Sequence, residues 1–526
     1  MTITEAVANP ASAPSSREQL GRWRQQRDRV ERGEDAASER QHAKQKLTVR
    51  ERLELLLDPG TFTEIDLYRR RQPDGSAPDG PYTDGVVTGS GTVHGRTVFC
   101  YAQDFRVFGG SLGSVHAEKI QKVMDLALRA GCPLISLNDG GGARIQEGVA
   151  ALAGYGGIFS RNVRASGIIP QISVILGPCA GGAAYSPALT DFVFMVRGVS
   201  HMFLTGPDVI KEVTGEQVTQ EDLGGAQMHA STSGVASFVY DDEATCLEEV
   251  RYLLAMLPAN NRENPPRYDG ADVSERMSEQ LLDIVPADPK KPYDMREVIA
   301  QIVDDGDYME VHEAWAQNVI CALARIDGRT VGVVGNQPLV RAGVLDINSS
   351  EKAAKFVRTC DAFNIPLVTL VDVPGFLPGV DQEHLGVIRH GAKLLYAYCD
   401  ATVPRIQVIL RKAYGGAYIV MDSRSIGADL SVAWPTNEIA VMGAQAAVSV
   451  VYRRQLAAAP DPEALRAKLV QEYTEEMMHP YYAAERGLVD DVIDPCETRT
   501  VIARALARLE HKQAQIAPRK HGNPPT

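Results

Sequence analysis

The eight cysteines of this 526-residue chain are scattered, and none stands in a Cys-x-x-Cys pair. That spacing indicates neither a zinc ribbon nor a disulfide framework and is consistent with a reducing compartment. No run of about 18 apolar residues occurs, so no membrane-spanning helix is expected. The first residues, "MTITEAVANPASAPSSREQ", have neither the basic start nor the apolar core of a secretory signal, and a cytoplasmic setting is expected. Positive charge is not in excess: the net charge is −13, which offers no general electrostatic attraction for nucleic acid or anionic membrane. Neither G-x-x-x-x-G-K-[ST] nor G-x-G-x-x-G is present, which weakens a nucleoside triphosphate or dinucleotide reading.

What is present is a globular composition, 44% hydrophobic and 23% charged, in a chain long enough for two to four domains of roughly 150 residues each. The chain also repeats itself. Gly95-Arg96-Thr97-Val98 matches Gly328-Arg329-Thr330-Val331 at an offset of 233. "AEKIQKVMDLALRAGCP" matches "SEKAAKFVRTCDAFNIP" at the same offset, pairing Glu118 with Glu351, Lys119 with Lys352, Lys122 with Lys355 and Pro133 with Pro366. Asp139 pairs with Asp372; Pro170 then pairs with Pro404, and the offset becomes 234. Upstream, "RERLELLLDPGTFTEI" resembles "MREVIAQIVDDGDYMEV" at an offset of 246, with the extra residues near the polar loop "RRRQPDGSAPDG".

Two similar domains follow, 1–270 and 271–526, joined through the Pro- and Asn-rich stretch "NNRENPPRYDGADVSER". A charged segment over about 16–57, with helical apolar spacing towards "KLTVRERLELLL", precedes the first repeat. In each half, short apolar runs ending in Asp ("CPLISLND", "IPLVTLVD") and second runs ("PQISVILG", "PRIQVILR") read as buried strands. Helical patterns lie between them, so the fold class is α/β with layered sheets.

The second strand of each half runs into a Gly-Gly-Ala turn, Gly181-Gly182-Ala183 in "PCAGGAAYSP" and Gly415-Gly416-Ala417 in "KAYGGAYIVM". Glycine lets main-chain N–H groups approach a ligand, and a helix start leaves such groups unpaired with partial positive charge. A turn of this kind suits a phosphate or a developing oxyanion; tight strand–helix packing is the plainer alternative.

Five segments, "NDGGGARIQEGVAAL", "GPCAGGAAYSPALTDF", "FLTGPDVI", "VDVPGFLPGVDQEHLGVIRHGAKLLYAY" and "KAYGGAYIVM", together resemble the carboxyltransferase β subunit of biotin-dependent acyl-CoA carboxylases. The likeness runs from about Gln41 to the final "KHGNPP". It implies two crotonase-like (ClpP/crotonase) domains per chain and a homo-hexamer, with each active site between the N-domain of one chain and the C-domain of another. By resemblance, Gly182 and Ala183 polarise the acyl-CoA thioester, with Gly141, Gly142, Ala143, Arg144, Gly181, Tyr185 and Ile419 on the substrate side. Gly416 and Ala417 hold the ureido oxygen of biotin, with Gly375, Phe376, Gln382, Glu383, Arg389, His390 and Gly415 on the biotin side. Decarboxylated biotin can take the substrate's α-proton itself, which fits the lack of a His/Asp or paired-carboxylate constellation. No Met-Lys-Met sequence occurs, so the biotin is expected on a separate biotin carboxylase/biotin carrier chain; no metal is expected in this one.

Other residues carry weaker expectations. Asp139 and Asp372 suit strand-end capping as well as catalysis. Arg144 and Glu147 suit an internal ion pair. His390 suits a satisfied buried histidine, and Cys179 suits packing. The basic "RHGAK" patch and Lys119 suit CoA phosphates or a solvated face. Ile419 departs from the Asp found in relatives that favour propionyl-CoA, so acetyl-, propionyl- and butyryl-CoA all remain open. The rival readings are a decarboxylase or transcarboxylase subunit on the same scaffold and a non-enzymatic scaffold subunit. A stand-alone hydratase would need a carboxylate pair that is not found.

Overall fold

The two Asp-ended runs become central strands of two sheets. The computed structural model describes residues 14–71, 80–270, 272, 275–514 and 518–525. The inserted loop "RRRQPDGSAPDG" lies mostly outside these residues, as does part of the joining stretch. The first sheet holds β1 (Thr63–Ile65), β2 (Val86–Val93), β3 (Arg96–Gln103), β4 (Leu134–Gly140), β5 (Gln171–Ala180), β6 (Phe192–Val196), β7 (His201–Phe203) and β8 (Phe238–Tyr240). Its order is β1-β2-β3-β4-β5-β6-β8, with β7 on the end of β5. The second holds β9 (Tyr308–Glu310), β10 (Val319–Ile326), β11 (Arg329–Asn336), β12 (Leu367–Val373), β13 (Arg405–Tyr414), β14 (Leu430–Ala433), β15 (Glu438–Ala440) and β16 (Asp491–Val492). Its order, β9-β10-β11-β12-β13-β14-β16 with β15 on β13, repeats the first strand for strand.

Local chemistry explains why the repeated letters fold alike. The Gly-Arg-Thr-Val echo closes hairpins β2–β3 and β10–β11 through two-residue loops, His94-Gly95 and Asp327-Gly328, all four residues at positive φ. Such loops match the twist of the flanking strands. From β3 and β11 onward the pairing is parallel, and all seven residues of β4 and of β12 are buried. Helices Ser114–Ala130, Val149–Ala165, Ile347–Ala362 and Val387–Asp400 connect these strands. One apolar core contains Leu137 and Phe194 of the first half together with Val334 and Ala413 of the second.

One irregularity is also duplicated. Between Asn138↔Ile175 and Gly140↔Cys179, β5 advances four residues while β4 advances two. Between Val371↔Ile409 and Val373↔Ala413, β13 and β12 do the same. These bulges end just before the Gly-Gly-Ala turns. The charged segment ahead of the first repeat is helical, as expected, at Ser16–Arg32, Asp35–His42 and Val49–Leu56. Among the described residues, no helix is long and apolar enough to cross a membrane.

Candidate active site

Each position of the Gly-Gly-Ala motif has its own reason. Gly181 and Gly415 sit at φ 63° and 62°, where a side chain is strained. Gly416 faces open space within the chain, where a Cβ would meet nothing within 4 Å, whereas a Cβ at Gly182 would press on the Tyr155 ring at 3.3 Å. Ala183 and Ala417 put their methyl groups into the core. The first turn opens a 3-10 helix over Gly181–Ala184, and the second an α-helix over Gly415–Val420. No side chain caps either start, because Ala180 and Tyr414 occupy the cap positions. First-turn N–H groups have no acceptor within their own helix, so both starts present main-chain donors. Such donors suit a developing oxyanion or a carbonyl oxygen.

Equivalent bonds tie the two Gly-rich loops to Leu112 and Leu345, just ahead of helices Ser114–Ala130 and Ile347–Ala362. The Leu112 N–H donates to the Gly142 carbonyl at 2.9 Å and the Leu345 N–H to the Gly375 carbonyl at 3.0 Å. Isolated bridges join Leu112 to Ala143 and Leu345 to Phe376. A Cβ at Gly142 would lie 3.0 Å from the Ala180 carbonyl, so this loop abuts the residue that precedes the first turn. Gly141 is exposed. Tyr185, just after the first turn, is half exposed with its ring edge-on to Phe159. Ile419, just after the second, is half-buried against the core.

Several side chains on both sides do internal work. Arg144 is buried and donates to Asp84 at 2.8 Å, Glu147 at 2.7 Å and the Ser111 carbonyl at 2.9 Å, beneath the Phe108 ring. Glu147 also accepts the Ser114 N–H at 2.7 Å, and Gln382 accepts the Ile347 N–H at 3.2 Å, so the two cap equivalent helices. His390 bonds Glu351, which also holds Lys393 at 2.6 Å; Arg389 bonds His390 at 3.1 Å. His390 is thus satisfied, though half-buried rather than fully enclosed. Glu383 and Arg389 are exposed, while Gly375 and Phe376 are half-buried. Cys179 is buried and its thiol is pushed up to about 12 by burial, which makes it inert packing.

Two expectations need correction. Lys119 meets neither solvent nor phosphate: it is buried and donates to the carbonyls of Thr83 and Val86. Desolvation pulls it down to about 8. Asp139 and Asp372 neither cap helices nor face the turns' open side; each is fully buried in an ion-pair cluster beneath its bulge. Sequence reasoning missed the partners, Lys46, Arg52 and Arg411. The only signal for them was an Asp placed inside a strand read as buried, which requires a buried counter-charge.

Among the described residues no His/Cys/Asp/Glu group is placed to hold a metal ion. A shallow cavity of about 350 Å³ over Arg341 and Leu377–Gln382 adjoins the Gly-rich loop of the second half. Two larger cavities, of about 620 and 840 Å³, contain none of the expected site residues; they lie at the seam between halves, around Glu310 and Arg325.

Comparison with known proteins gives one consistent answer. A carboxyl transferase domain model matches residues 40–524. The chain is 56% identical to the propionyl-CoA carboxylase beta chain of Saccharopolyspora erythraea, covering 100% of both. It is 57% identical to the propionyl-CoA carboxylase carboxyltransferase subunit of Haloferax mediterranei, over 94% of this chain and 96% of that one. It is 54% identical to the methylmalonyl-CoA decarboxylase subunit alpha of Propionigenium modestum, over 93% and 95%. Among solved structures, the hexameric transcarboxylase 12S with methylmalonyl-CoA bound superposes with a TM-score of 0.95 at 50% identity, covering 99% of this chain and 100% of that one. With its duplicated sheets and turns, the chain belongs to the carboxyl transferase family.

Proposed function

We propose that the chain is the carboxyltransferase subunit of a biotin-dependent acyl-CoA carboxylase, acting on short acyl-CoA thioesters. The carrying observation is the pair of uncapped Gly-Gly-Ala helix starts at equivalent places in the two sheets. In this reading the N–H groups of Gly182 and Ala183 hold the thioester oxygen, on which negative charge grows as the α-proton leaves. A single donor of this kind is worth about 2.7–4 kcal/mol. The N–H groups of Gly416 and Ala417 hold the ureido oxygen of biotin. Carboxybiotin, carried on a separate chain with the biotin carboxylase, supplies the carboxyl group and, once that is released, a proton acceptor. Gly142 lets its loop abut the residue before the first turn, while Arg144 and Gln382 keep the two loops in place.

The same reading makes the chain a cytoplasmic homo-hexamer with domains at 1–270 and 271–526 and sites shared between chains. Exposed apolar side chains beside both site loops, Ile145, Val149 and Leu152 in one half and Val380, Leu385 and Ile388 in the other, support association there. Ile419 places an apolar group behind the second turn. Because one methylene in a pocket is worth only about 1–3 kcal/mol, the substrate in this reading is acetyl-, propionyl- or butyryl-CoA, with relaxed selectivity among them.

The test mixes the purified chain with a biotinylated biotin carboxylase partner, ATP, Mg2+ and labelled bicarbonate, and offers the three acyl-CoAs side by side. Partner-dependent label in an acyl-CoA is expected. A propionyl-CoA kcat/KM at least about a hundredfold above the others would contradict the reading of Ile419. A decarboxylase or transcarboxylase subunit is the second reading, supported by the 54% identity to the decarboxylase subunit and the superposition on transcarboxylase 12S. Failure to label any acyl-CoA with an active partner would favour it.

A further inference from the structure

The two bulges are held by different parts of the chain. In the second half the bulged strand supplies its own donors. Arg411 approaches Asp372 through Nε at 3.0 Å and Nη2 at 2.9 Å, and the Lys412 N–H donates to Asp372 Oδ1 at 3.2 Å. At the offset of 234, the corresponding residues of the first half are Gly177 and Pro178. Glycine offers no side chain, and proline has no N–H to give. A Cβ at Gly177 would lie 1.9 Å from Asp139 Oδ1 and 2.8 Å from Lys46 Nζ, so glycine leaves the room that the imported lysine and its carboxylate occupy.

Both donors come from the N-terminal segment. Lys46 Nζ reaches Asp139 at 2.7 and 2.6 Å, and Arg52 Nη1 reaches it at 2.9 Å. Arg52 Nη2 also donates to the Leu176 carbonyl, inside the bulge, at 3.1 Å. Glu243, held by Arg52 at 2.7 Å, balances the second charge. Lys46, Arg52, Asp139 and Glu243 are all buried.

We propose that Lys46 and Arg52 are positioning residues for the acyl-side turn, supplying from the N-terminal segment the contacts that Arg411 and Lys412 supply within the biotin-side strand. They fix the main chain at Leu176–Pro178, three residues before Gly181, and with it the aim of the Gly182 and Ala183 N–H groups. The catalytic part rests on the reading that this turn holds the thioester oxygen.

The test uses the full chain with its biotinylated partner. Lys46→Met is expected to speed hydrogen–deuterium exchange in peptides covering 176–186 and leave those covering 410–420 as in wild type. The kcat for acyl-CoA carboxylation is expected to fall about tenfold or more with KM little changed, because donors displaced by about 1 Å lose rate rather than binding. Acyl-independent decay of carboxybiotin on the partner is expected to stay at its wild-type rate. Lys46→Arg should recover kcat. Adding Pro178→Ala to Lys46→Met should recover part of it, by giving Asp139 the main-chain donor that Asp372 has. If Lys46→Met does not assemble, Arg52→Lys, which keeps the charge but loses the Leu176 contact, should show the same one-sided loosening. Unchanged exchange at 176–186, or equal loosening at 410–420, overturns the proposal. One-sided loosening in a protein whose wild type carboxylates no acyl-CoA would uphold the positioning and reject the acyl reading instead.

Discussion

Lys119 and Lys352 stand at equivalent positions of the two halves, and each buries its ammonium against two main-chain carbonyls. The acceptors are Thr83 and Val86 in the first half and His312 and Trp315, both at 3.0 Å, in the second. Thr83 and His312 have positive φ, so each lysine fastens a turn of unfavourable backbone. Methionine at either position would fill the space but remove the ammonium, leaving the Thr83 carbonyl with only the Val86 N–H and the His312 carbonyl with only the Trp315 N–H. Each substitution is expected to cost about 1–3 kcal/mol, read as a lower midpoint in chemical denaturation.

This lysine pair also marks how far the sequence could be read. The repeat was legible because both halves keep the same local instructions: the two-residue hairpin loops, the apolar runs and the Gly-Gly-Ala turns. Those signals lie within a few neighbouring residues. Lys119 sits on an amphipathic helix, and no adjacent letter says that its charge points inward at carbonyls 33 and 36 residues away. Asp139 and Asp372 are the same letter at the same repeat position, yet one is answered by Lys46 and Arg52 and the other by Arg411. The substitution of Gly177 for Arg411's counterpart was visible, but its meaning needed the side chain that arrives from the N-terminal segment.

The turn glycines should not respond alike to substitution. Gly416→Ala is expected to be the mildest of the alanine changes, since within the chain its Cβ meets nothing within 4 Å. Gly182→Ala should be worse, because the Tyr155 ring must yield a few tenths of an ångström. Gly415→Ala should be worse again, with positive φ and the Val441 carbonyl at 3.0 Å. Proline at 182 or 416 removes the N–H itself, and a loss of about 10²–10³ in kcat is expected in steady-state assays.

His116 gives a pH signature. It is fully buried, with Nε2 unpartnered among the described residues, and desolvation followed by the Arg144 charge pulls it down to about 3. Between that value and the ordinary histidine value near 6.5, the unfolded chain binds a proton that the native chain does not. Stability from this residue is therefore intact above pH 6.5 and lost as pH falls. Asp191 and Asp422, pushed up to about 6 and about 7 by burial, act in the opposite sense, so the comparison must be between proteins. Relative to wild type, His116→Gln is expected to gain about 2 kcal/mol between pH 7 and pH 5 in denaturation midpoints.

Val149 and Ile388, 80% and 78% exposed, stand beside the two site loops. Burying an aspartate there against a second chain would strand its charge. Val149→Asp and Ile388→Asp are expected to lower the mass seen in light scattering and to remove carboxylation, while the circular dichroism of the chain stays unchanged. Full-size assembly in both variants would place the contact surface elsewhere.

The strands that finish the open sides of the two sheets, β1, β8, β9 and β16, are only two or three residues long. So short a border gives an incoming chain few main-chain groups to bond, and it protects against sheet-to-sheet growth. In the hexamer proposed above, copies would then meet through side chains on helices and loops. A chain that has shed a border strand, exposing the long β2 or β10 behind it, is the form expected to aggregate.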